Sequence, residues 1–245
     1  MTLLRKAARR LRSLGSNEPH AQHRIAAQQL FARYGATGGG WVPPAASSEH
    51  QGLRRLFDAE GSDKGWHANA YDIVLAPHRH SVRSLLEIGI GTMLEGAPSS
   101  MVGYAADHYR PGGSLRAWRD YFPNAEVLGA DIQPDTQFAE DRIRTVLCNS
   151  ADAAEVERCF GSGARFDIVI DDGSHEADDQ LATLANFYPM VRPGGFYFVE
   201  DVLPTGALFW NPALIEPHIA GAPHFSVNVN NGTDQWQLIV IRKPG

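Results

Sequence analysis

FDIVIDDGSHEADDQ, Phe166 to Gln180, sets a run that is apolar but for Asp167, Phe166 to Ile170, directly before two adjacent carboxylates, Asp171 and Asp172, followed by Gly173, Ser174 and His175. The order reads as a buried strand that ends in ionisable groups. In an open parallel sheet the ligand crevice lies beyond the carboxyl ends of the strands, so acids and a histidine at a strand tip stand where chemistry is done. The same residues also suit a turn and a helix start, with Asp172 and Ser174 accepting from backbone N–H groups. Taken alone, the stretch leaves both readings open.

The flanking sequence decides between them. Upstream, SLLEIGIGT gives a strand over Ser84 to Ile88 that opens into a turn with Gly89 and Gly91. A dinucleotide fingerprint needs a third glycine at position 94, which is Leu94, so a nicotinamide oxidoreductase is disfavoured. A second strand, Ala125 to Ala130, ends in Asp131, and a carboxylate there can accept from both hydroxyls of a ribose. A third, Arg142 to Leu147, runs into CNSAD, where Asp152 suits the N-cap of a helix over Ala153 to Phe160. Downstream, HEADDQLATLANFYPMV carries Leu181, Leu184, Phe187 and Val191 at helical spacing. RPGGFYFVED then supplies a fifth strand, Phe196 to Val199, closed by Glu200 and Asp201. Finally, HFSVNVNNGTDQWQLIVIRK holds two alternating runs split by NNGTD, a hairpin signal. Five strands with helical crossovers and a closing antiparallel hairpin make an α/β fold: a doubly wound, Rossmann-like, mostly parallel sheet of seven strands with helices on both faces.

Ahead of this domain, expected over residues 49–245, residues 1–48 form an N-terminal helical appendage and linker. MTLLRKAARRLRSLG puts Leu3, Leu4, Ala7, Leu11 and Leu14 on one helical face, which suits a docking arm, a membrane-surface helix or a targeting peptide. Ala21 to Tyr34 is again helix-like, anchored by Ile25, Leu30 and Phe31, and GATGGGWVPP is the linker. A short helix is expected over His50 to Glu60. In GSDKGWHANAYDIVLAPH, Ser62 or Asp63 caps a helix towards Leu75, or the polar cluster beside Trp66, His67 and Tyr71 lines a pocket. Ser114 is the expected N-cap of a helix through Tyr121, at the end of an insertion from Thr92 to Gly113.

Composition narrows the partners. With 22 Lys and Arg against 28 Asp and Glu, a formal charge of −6, the chain lacks the basic surface that general nucleic-acid binding requires. Two cysteines, Cys148 and Cys159, favour a reducing cytoplasm over a disulfide scaffold. No apolar run approaches the length of a membrane span.

The glycine turn in LLEIGIG, Asp131, CNSAD and the paired carboxylates after the fourth and fifth strands, with the terminal hairpin, resemble the class I S-adenosylmethionine-dependent methyltransferases over Leu53 to Lys243. More narrowly, GSDKG, LLEIGIG, GGSLRAW, DIVIDDGSH and RPGGFYFVED look like the metal-dependent sugar O-methyltransferases that act on deoxysugars of macrolide antibiotics, the macrocin O-methyltransferase type. The resemblance implies Mg²⁺ held by Asp172, Glu200 and Asp201. It also implies an S-adenosyl-L-methionine site in which Glu87, Gly89 and Gly91 approach the methionine, Asp131 binds the ribose, and Asn149, Ser150 and Ala151 border the adenine. Asp171 is expected to hold the methionine ammonium or support the metal site, and Ser114 and Lys64 are further candidates for cofactor contact. Hard oxygen ligands suit Mg²⁺, and a chelated hydroxyl is acidified and positioned by it. His175, three residues past Asp172, is the expected general base, with Asp172 the alternative. The expected acceptor is a sugar or saccharide, and the apolar N-terminal faces suggest a homo-oligomer. A catechol-like or other small diol as acceptor, or a non-catalytic S-adenosylmethionine-binding module, are the competing readings.

Overall fold

Nine strands join in one sheet in a computed structural model of the protein, which describes residues 51–97, 100–103, 106–230 and 235–245, with Gln29, Phe31 and the pair Gly40–Trp41. They are β1 (Gly40–Trp41), β2 (Ser84–Ile88), β3 (Glu126–Asp131), β4 (Ala139–Glu140), β5 (Ile143–Leu147), β6 (Phe166–Asp171), β7 (Val191–Val202), β8 (His224–Asn230) and β9 (Gln235–Arg242). The spatial order is β1-β8-β9-β7-β6-β2-β3-β5-β4. The doubly wound sheet with a closing hairpin is therefore present, with two strands more than the seven expected. Both extra strands are two residues long, too short to show a period. β1 pairs with β8, and β4 with β5, at the two edges.

The alternation along each central strand explains the helices on both faces. Leu85, Ile168, Ile170, Phe196 and Phe198 enter one core with Leu53, Phe57, Tyr71 and Trp118. Leu86, Val169, Tyr197 and Val199 enter the other with Leu184 and Phe187. Successive side chains point to opposite faces, and a strand covered on both sides is apolar on both, as Ile168, Val169 and Ile170 of β6 are; Asp167 near its start is half-buried and accepts from the N–H groups of Arg83 and Ser84. The first core is closed by α1 (Gln51–Ala59), α2 (Ala68–Leu75) and α3 (Gly113–Tyr121). The second is closed by α4 (Ala153–Phe160), α5 (Ala177–Phe187) and the short α6 (Ala207–Trp210) and α7 (Glu216–Ile219).

Three local expectations are corrected. Val191 is not helical: α5 ends at Phe187, a 3-10 turn follows over Tyr188–Met190, and Val191 begins β7 opposite Phe166. Pro189 in that turn lacks the N–H that a continued helix would use. β7 also starts earlier than Phe196, with a register shift against β6 between Phe166 and Ile168. Ser114 does not cap α3. Gly112 occupies the N-cap at φ 78°, and a Cβ there would meet Phe138 at 2.4 Å, so the close approach of that ring selects glycine. Asp152 does cap α4, accepting from the N–H groups of Ala154 and Glu155 at 2.9 and 3.1 Å. The expectations for residues 1–48 lie outside the described residues, apart from helical Gln29 and Phe31 and the strand pair; the Phe31 ring packs edge-on against Phe225 at 4.9 Å.

β2 sits between β3 and β6, so the chain winds one way through β3 and β5 and the other way through β6 and β7. That reversal opens a crevice at the carboxyl ends of β2, β3 and β6.

Candidate active site

Gly89 fixes the floor of the crevice. At φ 77° its Cβ position would lie 1.9 Å from the backbone oxygen of Asp172, so only glycine lets the β2 turn close on the tip of β6. The Gly89 N–H donates to Ala130 O and the Asp172 N–H to Ile88 O, both at 2.8 Å, locking three strand tips together. Asp131 at the end of β3 accepts from the Ile90 N–H at 2.9 Å and the Gln133 N–H at 2.8 Å. Tyr109, from the insertion, folds back to donate to Ile90 O or Gly91 O at 3.0 Å.

Between these tips lies a cavity of about 320 Å³. Its wall carries Gly89, Gly91, Asp131, Asn149, Ser150, Ala151 and Asp171, seven of the ten residues expected to meet the cofactor. The structure sets Glu87, Ser114 and Lys64 apart from it. On β2, Glu87 shares the face of Leu85, towards α3, where its oxygens accept from Ser114 Oγ and Trp118 Nε1 at 2.5 Å each. The same strand period that buries Leu85 turns Glu87 away from the cavity. Ile132, Gln133, Cys148 and Thr183 also line the wall and went unassigned in the sequence, as did Met101 from the insertion; their residue types carry no chemical signal.

Asp172, His175 and Asp201 meet at the mouth, each offering a ligand atom within 4.8 Å of the others. His175 Nε2 lies 3.2 Å from Asp172 Oδ1 and 4.0 Å from Asp201 Oδ2. His175 and Asp201 sit at φ 62° and 48°, backbone conformations unusual for residues with a Cβ, and such strain concentrates at functional sites. Glu200 is outside this trio. Its Oε1 accepts from the Tyr71 hydroxyl and its Oε2 from Lys64 Nζ at 2.8 Å.

Lys64, His67 and Tyr71 thus enter the site from a single segment. Lys64 Nζ, almost wholly buried, also reaches Asp172 Oδ2 at 2.5 Å and Glu87 Oε1 at 3.5 Å. His67 Nε2 lies 3.3 Å from Asp201 Oδ1, and Nδ1 3.6 Å from Glu200 Oε2. The spacing of 64, 67 and 71 on one helical face was the available signal. Ser62 initiates the 3-10 turn over Asp63–Trp66 that delivers them, accepting from the Lys64 N–H at 3.4 Å.

Charge and burial set the proton affinities. For Asp172, burial works upward, but the ammonium of Lys64 and the hydrogen bond from His175 bring it down to about 2. Burial would lower His175, and Asp172 and Asp201 instead raise it to about 9. His67 is likewise raised to about 9, with Glu200 and Asp201 outweighing burial. Burial pushes Asp171 up to about 8 and Glu87 to about 7.

Asp171 Oδ2 is buried without a hydrogen-bond partner, while the buried Asp201 Oδ1 and His67 Nε2 face each other at 3.3 Å as an ion pair with no aligned hydrogen bond. The Asp172 and Asp201 oxygens that converge near His175 fit a hard divalent cation, and the orphaned Asp171 oxygen on the cavity wall fits a ligand N–H. The donor set thus accommodates both groups implied by the sequence.

No family model matches the chain. Over 162 residues it is 38% identical to 8-demethyl-8-(2-methoxy-alpha-L-rhamnosyl)-tetracenomycin-C 3'-O-methyltransferase of Streptomyces olivaceus, covering 64% of this chain and 38% of that protein. Over 148 residues it is 36% identical to mycinamicin VI 2''-O-methyltransferase of Micromonospora griseorubida, covering 60% of this chain and 34% of that one. Each match spans less than two fifths of the curated relative. Among solved structures, MycE methyltransferase from the mycinamycin biosynthetic pathway, in complex with Mg and SAH, superposes with a TM-score of 0.59 and 27% identity over 78% of this chain and 55% of that one. Its complex with Mg, SAH and mycinamycin VI gives the same TM-score at 26% identity. By fold and by sequence, then, the chain is similar to class I S-adenosylmethionine-dependent methyltransferases of the sugar O-methyltransferase type.

Proposed function

We propose that this protein transfers a methyl group from S-adenosyl-L-methionine to a sugar hydroxyl, on a natural-product deoxysugar or a saccharide precursor, in a Mg²⁺-dependent reaction with His175 as general base. The observation that carries this reading is the convergence of Asp172, His175 and Asp201 at the mouth of the cavity walled by Asp131 and Asn149. The solved relative named above carries Mg and SAH, and the curated relatives are named as O-methyltransferases, one of them of a rhamnosyl-bearing tetracenomycin.

Each residue has a physical task. Asp131, already aligned by two backbone N–H groups, keeps free lone pairs for the ribose hydroxyls. Asp171 gains a partner for its bare oxygen in the methionine ammonium, which favours its ionised form. Asn149, Ser150 and Ala151 border the adenine. A divalent cation held by Asp172, Asp201 and Glu200 would acidify and orient an acceptor hydroxyl. His175 accepts the hydroxyl proton, because carboxylates committed to ligation no longer hold a proton on its ring up to pH 9. The methyl carrier brings its own reactivity, so the chain mainly aligns the acceptor for in-line displacement.

The reading extends to the whole chain. Catalysis belongs to a domain over 49–245, and the residues ahead of it, with the insertion, serve the acceptor pocket. The protein works as a homo-oligomer in the reducing cytoplasm, in keeping with two free cysteines. Among the described residues no helix is long and apolar enough to cross a membrane. The test is methyl transfer from labelled cofactor to a panel of sugars and diols, with Mg²⁺ and with EDTA, for the wild type and His175→Ala. Transfer to a sugar that EDTA abolishes, and that the variant loses without losing SAH affinity, is expected. Transfer to catechols alone would assign the diol reaction, and absence of SAH binding would leave a domain without this activity.

A further inference from the structure

Each carboxylate of the cluster has two oxygens with different surroundings. Asp172 turns Oδ1 towards His175, at 3.2 Å, and Oδ2 towards Lys64, at 2.5 Å. Asp201 turns Oδ2 towards His175, at 4.0 Å, and Oδ1 towards His67, at 3.3 Å. Lys64 and His67 are three residues apart, and both side chains are only 3% exposed. From the protein side they back the two acids whose front oxygens face the mouth. Glu200 is gripped in the same way, by Lys64 at 2.8 Å on Oε2 and by Tyr71 on Oε1. Tyr71 is itself wedged between Trp118, at 5.1 Å, and Phe198, at 4.8 Å, so the anchoring segment cannot rotate without disturbing the core.

From this geometry we infer that Lys64 and His67 are positioning residues for the divalent cation of the site: they hold the back oxygens of Asp172 and Asp201 so that the front oxygens converge. The inference rests on the cation reading above and adds residues that the reading does not use. Two opposing effects decide the sign of its test. Removing the Lys64 ammonium takes a positive charge from beside the site, which by Coulomb's law favours a cation. It also frees the half-buried Asp172 and the buried Glu200 carboxylates to turn and to lose convergence. Partners behind ligating groups typically contribute 10- to 100-fold to metal affinity, and a carboxylate set converges only while its rotation is fixed. Orientation therefore dominates, and the variant binds the cation less tightly.

The experiment is Mn²⁺ titration of the full chain, followed by the loss of the free-ion electron paramagnetic resonance signal, for wild type, Lys64→Gln, Lys64→Arg, His67→Gln and His67→Ala. Lys64→Gln and His67→Ala should each raise the Mn²⁺ dissociation constant about tenfold or more. Lys64→Arg and His67→Gln, which keep a donor at those positions, should recover much of the loss. SAH affinity by calorimetry should change less than twofold, separating positioning from general collapse of the fold. Unchanged or tighter Mn²⁺ binding in Lys64→Gln would overturn the inference, tighter binding marking Lys64 as a competitor for the ion. If Lys64→Gln does not fold, His67→Ala decides alone. A wild type that binds no Mn²⁺ would instead defeat the cation reading on which the inference stands.

Discussion

Replacing Glu87 with glutamine separates a buried structural acid from a cofactor ligand. Glu87 is fully buried, and burial raises its pKa from 4.5 to about 7 even though Lys64 and Ser114 pull it down. A folded-state pKa above the unfolded one means that the native state binds the proton more tightly, so the stability is fully present below pH 4.5 and is lost as the pH rises through about 7. Taking 1.36 kcal/mol per pKa unit, the shift from 4.5 to about 7 withdraws roughly 3 kcal/mol over that window. Glutamine keeps the shape, can accept from Trp118 and can donate to Ser114 Oγ, yet never ionises. In metal-free buffer, urea unfolding of both proteins from pH 4.5 to 8 should show the variant gaining on the wild type through this range, then levelling. A stability difference that does not change with pH would refute the assignment of Glu87 as a desolvated acid. Because its side chain faces α3, SAH affinity should move less than about threefold, under 1 kcal/mol. A hundredfold loss would return it to the cofactor site.

Other changes test the crevice itself. Gly89→Ala forces a Cβ to within 1.9 Å of the backbone oxygen of Asp172 at a left-handed φ, so denaturation should show a loss of about 4 kcal/mol or more, well beyond a surface substitution. Asp131→Ala strips the acceptor from the N–H groups of Ile90 and Gln133 and from the ribose. Calorimetry should find SAH affinity reduced about tenfold to a hundredfold, from 1.5–3 kcal/mol for bonds to a charged group. Asp152→Ala removes the cap of α4 and should cost about 1 kcal/mol by chemical denaturation, with methyl transfer retained.

The fold was legible because its signals are local and periodic. β2, α4 and the two strands of the hairpin follow directly from apolar runs, turn residues and an N-cap aspartate. Misread features depended on distant partners. Gly112 displaced Ser114 as the α3 cap because Phe138 packs where a side chain would stand. β1 and β4 have no period of their own and exist only through the edges they pair with. In the site, Asp131, Asp171, Asp172 and His175 were readable as polar groups at strand tips, where strand order puts a ligand crevice.

What the sequence determined by itself is the order of strands and helices and the placing of acids at their carboxyl ends, since both follow from side-chain periods and turn chemistry along the chain. The tertiary structure decided the division of labour among those acids. Glu87 and Asp171 are both strand-end carboxylates, yet one is sealed against Ser114 and Trp118 and the other borders the cavity with an oxygen bare. It also brought Lys64 and His67, more than a hundred residues away in the chain, behind Asp172 and Asp201. Which face a side chain takes, and which distant charge meets it, is fixed only when helices and strands pack, because those energies arise from burial and from charges brought close across the fold.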